Sequence, residues 1–145
     1  MIIEINTQGA TPIYEQLRDQ IVLGIAAKKL VPGEILPSVR SLAADLGINF
    51  HTVNKAYAIL CDEGYIVMDR RKGAVVAQIM TNGEPFLSRL SGRLLLTAAE
   101  AVCHDISESE FTALCLESYL TAKNQSNQSN PKNPKNSDNS DNGGI

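Results

Sequence analysis

Short polar side chains cluster at one point of the sequence, at the start of a predicted helix. They belong to Asn49, His51, Thr52, Asn54 and Lys55. A hydrophobic core does not need these residue types, whereas their hydrogen-bonding groups can pair with base edges and phosphates. A helix that enters the major groove of DNA does so with its first turns. The cluster therefore predicts a helix whose first turns contact DNA.

A basic run follows closely, between two β-prone segments at residues 65–68 and 74–77. Two such segments around a charged loop that ends in glycine predict a β-hairpin. Elsewhere the loop would be an ordinary solvated turn, but a hairpin directly after the reading helix is typical of a wing. Cations at its tip suit the negative potential of a narrow minor groove. The tip residues expected to contact DNA are Arg70, Arg71, Lys72 and Gly73.

Three predicted helices position these residues. The first covers residues 11–29, opens on a hydroxyl cap followed by proline, and places an apolar residue at every fourth position. The second begins after Ser38, and the third covers residues 50–63. Only Gly47 and one further residue separate the second helix from the cap of the third. Two short helices joined by a tight glycine turn indicate a helix-turn-helix.

Three residues near the cluster leave two interpretations open. Ser38 and Asn49 suit helix N-caps, and either could contact a phosphate in addition. Phe50, between Asn49 and His51, packs either on a thymine methyl group or only on the protein.

Residues 79–122 predict two further helices, one from residue 84 to about 103 and one from about 108 to 122. The second opens on a capping box at residues 107–110, a serine followed three positions later by a glutamate. Their apolar faces exceed what a lone helical hairpin could bury, so we expect them to pair across a homodimer. The predicted dimerisation residues are Leu87, Leu90, Leu94, Ala98, Phe111 and Leu114.

The last segment, residues 123–145, is rich in Asn, Ser, Pro, Lys and Asp, and we predict that it is disordered. Net charge is −3 overall, but the basic residues of the first part cluster locally, which matters more for phosphate contact than the total. No apolar run long enough to span a membrane and no secretion-signal pattern occur in the sequence, so a cytoplasmic protein without a membrane partner is expected.

The sequence offers no pattern for catalysis or for a cofactor. It has no Ser-His-Asp set, no phosphate-binding Gly-rich loop and no paired inward carboxylates. Its three cysteines form no CxxC pair, which fits reduced thiols. Cys103 and His104 with Cys115 lack zinc-finger spacing and a fourth ligand. We therefore expect neither an enzyme nor a metal protein.

Four runs of the chain match one known family in order and in spacing. They are residues 12–17, 32–43, 49–57 and 63–66, within a match that covers roughly residues 2–78. They closely resemble the GntR family of bacterial transcription regulators. The resemblance implies that Arg40, at the start of the second helix, contacts DNA.

The length that remains after the wing points to a subfamily. Residues 79–122 are too few for the aminotransferase-like domain of the MocR type or the ligand domains of the FadR-like and HutC-like types. The chain resembles the YtrA subfamily, which uses two helices to dimerise. The resemblance implies a mainly α fold with a small β-hairpin (α+β). Residues 1–78 then form a winged helix-turn-helix domain, and residues 79–122 form a helical-hairpin dimerisation region.

By the same resemblance, the chain represses transcription as a homodimer on a pseudo-palindromic operator, with transporter genes as typical targets. Family members usually respond to a small molecule. Here we expect any effector at the dimer interface or between the N-terminal domain and the last two helices. The rival hypothesis is a winged-helix module that binds protein or RNA and has lost operator reading. The polar first turns and the basic wing favour DNA, because an interaction module would tolerate apolar or acidic residues there.

Overall fold

The computed structural model describes residues 2–79 and 84–124. Over these residues the chain forms five helices and a two-stranded sheet, so the predicted mainly α fold with a small wing is confirmed. The elements are α1 (Ile13–Ala26), α2 (Val39–Leu46), α3 (Phe50–Asp62), β1 (Ile66–Asp69), β2 (Gly73–Val76), α4 (Glu84–Cys103) and α5 (Glu108–Asn124). We call residues 2–79 the head.

The core of the head lies where α1 and α2 pack against α3. Apolar residues at helical spacing supply it: Leu17 and Ile21 of α1, and Val53 and Leu60 of α3, are essentially inaccessible to solvent. Tyr57 joins this core and donates its hydroxyl hydrogen to the Pro37 carbonyl at 2.8 Å. That bond anchors the chain just before α2 to the middle of α3.

Helix α1 differs from its prediction at both ends. Thr11 does not cap it: Pro12 holds the N-cap position, and no side chain accepts a hydrogen bond from the first turn. The helix ends at Ala26 rather than near Lys29, because Lys28 adopts a left-handed conformation with φ of 56°. The first turn is instead tied to the preceding segment, where the Gln16 side chain donates to the Thr11 carbonyl at 2.7 Å.

The strands β1 and β2 pair antiparallel, with Ile66 opposite Val76. A third segment joins them, because Ile35 forms a bridge with Val75. Backbone bonds support this bridge on both sides: the Leu36 N–H donates to Ala74 at 2.8 Å, and the Val76 N–H donates to Glu34 at 2.9 Å. The loop that leads into α2 is therefore fastened to the wing.

Helices α4 and α5 have no buried residue. Helix α4 ends at Cys103, Asp105 follows in a left-handed conformation, and the Ile106 N–H donates back to the Ala101 carbonyl at 3.0 Å. The predicted capping box is confirmed: the Ser107 N–H donates to the Glu110 carboxylate at 3.0 Å, and the Glu110 N–H donates to the Ser107 hydroxyl at 3.3 Å. These bonds fix how the chain leaves α4 and enters α5.

Helix α5 lies against α1 and continues to Asn124, two residues beyond the predicted end at Ala122. The rest of the predicted tail, residues 125–145, lies outside the described residues. In the part of the chain that the structure describes, no helix is both long enough and apolar enough to cross a membrane.

Candidate nucleic-acid interface

Two N-caps and one glycine set the geometry of the α2–α3 pair. The Ser38 hydroxyl accepts from the Ser41 N–H at 3.1 Å, and the Asn49 side chain accepts from the His51 N–H at 2.7 Å. Both predicted caps are thus confirmed. Gly47 ends α2 with φ of 65°, a left-handed conformation that glycine adopts without steric cost. These local choices start α3 immediately after the turn.

The polar side chains of α3 lie on the side away from the core. Asn49, His51, Asn54 and Lys55 are exposed, and Thr52 is half-buried. The buried side of the same helix is formed by Val53, Ala56, Tyr57 and Leu60. The structure thus leaves the first turns of α3 with hydrogen-bonding groups in solvent, as the sequence predicted.

Lys55 has a contact that the sequence did not predict. Its ammonium nitrogen lies 3.8 Å from the centroid of the Tyr14 ring on α1, a cation–π geometry. The Tyr14 hydroxyl in turn donates to the Glu15 carboxylate at 2.9 Å. Lys55 is therefore held against α1.

Phe50 and His51 form an aromatic pair at the first turn of α3. Their ring centroids are 5.6 Å apart, and the ring planes are inclined at 85°, an edge-to-face arrangement. Both side chains are exposed. The pair is thus the most prominent apolar feature in the polar cluster.

The wing tip is shaped by one carboxylate. Asp69 accepts from the N–H groups of Arg71 at 2.7 Å and of Lys72 at 2.8 Å. The bonds from Lys72 and Arg71 hold the pKa of Asp69 below its usual value. Gly73 completes the turn with φ of 80°, which an L side chain rarely adopts. The turn fixes the backbone from which three exposed cationic side chains extend: Arg70, Arg71 and Lys72.

Arg40 lies in the first turn of α2 and is exposed. Among the residues that the structure describes, its side chain forms no hydrogen bond or ion pair, and the same holds for the side chains of Arg70 and Arg71. Their guanidinium groups are therefore available to an external anion. Such groups pair with phosphate through two parallel N–H bonds.

The junction between the head and α4 carries an ion-pair cluster that sequence reasoning missed. The Glu63 carboxylate, just after α3, lies 2.7 Å from the Arg18 guanidinium of α1 and 3.7 Å from that of Arg93 on α4. Burial opposes the charge on Arg18, but hydrogen bonds to Asp19 and Glu63 outweigh it and raise the pKa of Arg18. No local pattern signals a pair separated by 45 residues in sequence.

An open cleft of about 370 Å³ lies beside this cluster, lined by Tyr14, Glu15, Ile59 and the four charged residues of the junction. It lies between the head and α4, one of the two places where the sequence predicted an effector.

The predicted dimerisation residues are uncovered within the single chain: four leucines are exposed, and Ala98 and Phe111 are only half-buried. The leucines are Leu87, Leu90, Leu94 and Leu114.

A capped helix pair, a short wing bonded to it and a solvent-facing polar edge define the chain as a winged helix-turn-helix protein. The profile described as bacterial regulatory proteins of the gntR family matches residues 10–76. A solved structure of YtrA from Sulfolobus acidocaldarius, a GntR-family transcription factor, is 42% identical with a TM-score of 0.58. The match covers 70% of this chain and 99% of that one. The chain belongs to the GntR family.

Other relatives give the same picture. The transcriptional repressor YtrA of Bacillus subtilis is 39% identical over 77 residues, which cover 53% of this chain and 59% of that protein. A structure described as a transcriptional antiterminator from Listeria monocytogenes has a TM-score of 0.78 at 27% identity and covers 85% of this chain and 93% of that one. The chain spans about three-fifths of the length of this YtrA and of two other curated regulators that it matches.

Proposed function

We propose that the chain is a sequence-specific DNA-binding regulator of transcription that acts as a repressor. One observation carries the proposal: α3 uses one side for the core and leaves a capped, polar first turn in solvent. A helix built in this way can enter the major groove without losing any contact that holds the head together. The name of the B. subtilis relative, a transcriptional repressor, supports the direction of regulation.

The contacts follow from where each side chain lies. His51, Thr52 and Asn54 read base edges, since all three extend from the first turns of α3. Asn49 keeps only its amide N–H groups for DNA, because its oxygen caps the helix. Lys55 binds a phosphate from its position on Tyr14. The phosphate and minor-groove contacts come from Ser38, Arg40, Arg70, Arg71, Lys72 and Gly73.

A second copy of the chain covers α4 and α5. These helices expose leucines that a stable single chain would bury, and their stripe of Leu87, Leu90, Leu94 and Ala98 follows one side of α4. A dimer with a two-fold axis at this interface presents two identical heads in opposite orientations. This symmetry matches the two half-sites of a pseudo-palindromic operator. Two heads also raise the affinity that one head with few phosphate contacts could reach.

The decisive experiment is a binding assay on the DNA upstream of the gene, with selection from random duplexes if no shift is seen there. We expect retention of one sequence, with binding weakened at least about fivefold by Arg40→Ala and by His51→Ala, because each removes a contact worth roughly 1–3 kcal/mol. Lys29→Ala is the matched control, since Lys29 is an exposed cation outside the proposed interface. Equal affinity of all four proteins would contradict the proposal.

RNA binding is a second candidate, favoured by the description of the Listeria structure as an antiterminator. An RNA target would be read mainly in single-stranded loops, on which aromatic side chains such as Phe50 can stack. The same assay with the transcript of the upstream region separates the two candidates. Binding to RNA in preference to the duplex would replace the operator proposal with this one.

A further inference from the structure

Phe50 is a large apolar side chain that folding does not explain. It is the first residue of α3, and 42% of its surface is exposed. Its neighbours Ile48 and Val53 belong to the core or pack against it, whereas Phe50 does neither. An exposed aromatic ring at the entry of a reading helix costs the free protein hydrophobic free energy, so it suggests a use in a complex.

The ring is held in place by its neighbour. His51 meets it edge to face with centroids 5.6 Å apart, which restricts the rotamers of both side chains. On the other side, Asn49 is engaged in capping and accepts the His51 N–H at 2.7 Å. Phe50 is therefore presented at a defined angle between two residues whose backbone positions are fixed by the cap.

The major groove offers one apolar group on its base edges, the C5-methyl group of thymine. We propose, on the basis of the DNA-binding function proposed above, that Phe50 reads a thymine methyl in each half-site and that His51 is its positioning residue. The edge-to-face contact keeps the phenyl ring rigid, so the methyl group meets a preformed apolar surface. The chemistry that identifies the ligand is thus a thymine at one fixed position.

The test replaces thymine with deoxyuracil, one position at a time, in the duplex retained by the wild-type chain. This exchange removes the methyl group and keeps every hydrogen-bonding group of the base. We expect one position per half-site at which it weakens wild-type binding about fourfold, since one buried methyl-sized group contributes roughly 0.8 kcal/mol. Phe50→Ala should bind the thymine and deoxyuracil duplexes equally at that position.

Leu23→Ala is the matched control, because Leu23 is an exposed apolar residue of α1 with 46% of its surface accessible. It should keep the wild-type preference for thymine. His51→Ala should reduce the ratio of the affinities for the thymine and deoxyuracil duplexes, a readout that the loss of a hydrogen bond to a base edge or a phosphate would not change by itself. A wild-type protein that is indifferent to deoxyuracil at every position would overturn the inference, and so would an unchanged preference in Phe50→Ala. Absence of any retained duplex would instead overturn the proposed function, and this inference with it.

Discussion

The head and the two C-terminal helices use apolar residues in opposite ways. All fifteen buried hydrophobic side chains of the described residues lie between Leu17 and Val76, and none lies in α4 or α5. Both regions contain many large apolar residues, chiefly leucine in α4 and α5, so a shortage of apolar side chains does not explain the contrast. The head buries its apolar residues against its own elements, whereas α4 and α5 direct theirs outward. This difference supports the proposal that a second copy of the chain covers the C-terminal helices.

The largest effect is expected when the head loses a core side chain. Leu60→Ala removes a fully buried leucine from α3 and should lower the free energy of unfolding by about 3 kcal/mol, because the cavity it leaves adds to the lost transfer free energy. Urea denaturation followed by circular dichroism measures this loss. Leu23→Ala, with the same change at an exposed site of α1, should cost well under 1 kcal/mol. Equal losses in the two variants would show that the core does not hold the head together.

The next test introduces a charge into the exposed apolar stripe of α4. Leu94→Glu should raise the dissociation constant of the dimer about a hundredfold, since each protomer then buries an unpaired carboxylate. Leu96→Glu is the control, because two residues along a helix turn the side chain to nearly the opposite side. Sedimentation equilibrium at micromolar concentrations distinguishes a dimer from a monomer. A wild-type chain that is already a monomer would contradict the proposed dimer, and so would two variants that both stay dimeric.

A smaller effect is expected at the junction of the two regions. Glu63→Gln weakens the ion pair with Arg18, which is largely buried, and should cost about 1 kcal/mol of stability. Arg93→Ala should cost only a few tenths of a kcal/mol of stability. The Arg93 side chain is 67% exposed, and its guanidinium lies 3.7 Å from the Glu63 carboxylate. Thermal unfolding of the two variants and the wild type gives both values. A larger loss for Arg93→Ala would mean that α4 stabilises the head.

The smallest effect concerns alkaline pH. Burial raises the pKa of Tyr57 to about 12, above its ordinary value of 10.0. The neutral phenol therefore stabilises the fold fully below pH 10, and this contribution is lost as pH rises through the range from 10 to 12. In Tyr57→Phe, the free energy of unfolding should therefore decline less between pH 10 and pH 12. At neutral pH the variant should be about 1 kcal/mol less stable, because it lacks the hydrogen bond to Pro37.

The control for this measurement is Tyr119→Phe, since Tyr119 is an exposed tyrosine of α5. It should keep the wild-type dependence of stability on pH. An alkaline decline of the same size in Tyr57→Phe and the wild type would assign the decline to other groups.

Features governed by neighbouring residues could be predicted from the sequence. The caps at Ser38 and Asn49 and the capping box at Ser107 depend on atoms within three residues, so residue type and spacing are sufficient. The start of α1 is an instructive failure. A threonine followed by proline suited a cap, but Pro12 itself takes the N-cap position and excludes Thr11 from that role.

Contacts between distant elements could not be predicted in the same way. The approach of Lys55 to Tyr14, the bridge from Ile35 to Val75 and the pair of Glu63 with Arg18 depend on how helices and strands pack in three dimensions. Periodicity shows which side of a helix is apolar, but not which polar side chain of another helix faces it. The site was therefore predictable as a set of residue types and positions, whereas its internal supports were not.

The bridge between Ile35 and Val75 has a mechanical consequence. It fastens the wing to the segment that leads into α2, and the Tyr57 hydroxyl ties that segment to α3. The wing, α2 and α3 are thus joined to one another. Tilting one of them relative to the others would break either the backbone bonds at the bridge or the hydrogen bond from Tyr57 to Pro37. For the operator proposed above, we therefore expect a change in the distance between half-sites to be met by rotation of a whole head about its junction with α4, where the Glu63 carboxylate lies 3.7 Å from the Arg93 guanidinium.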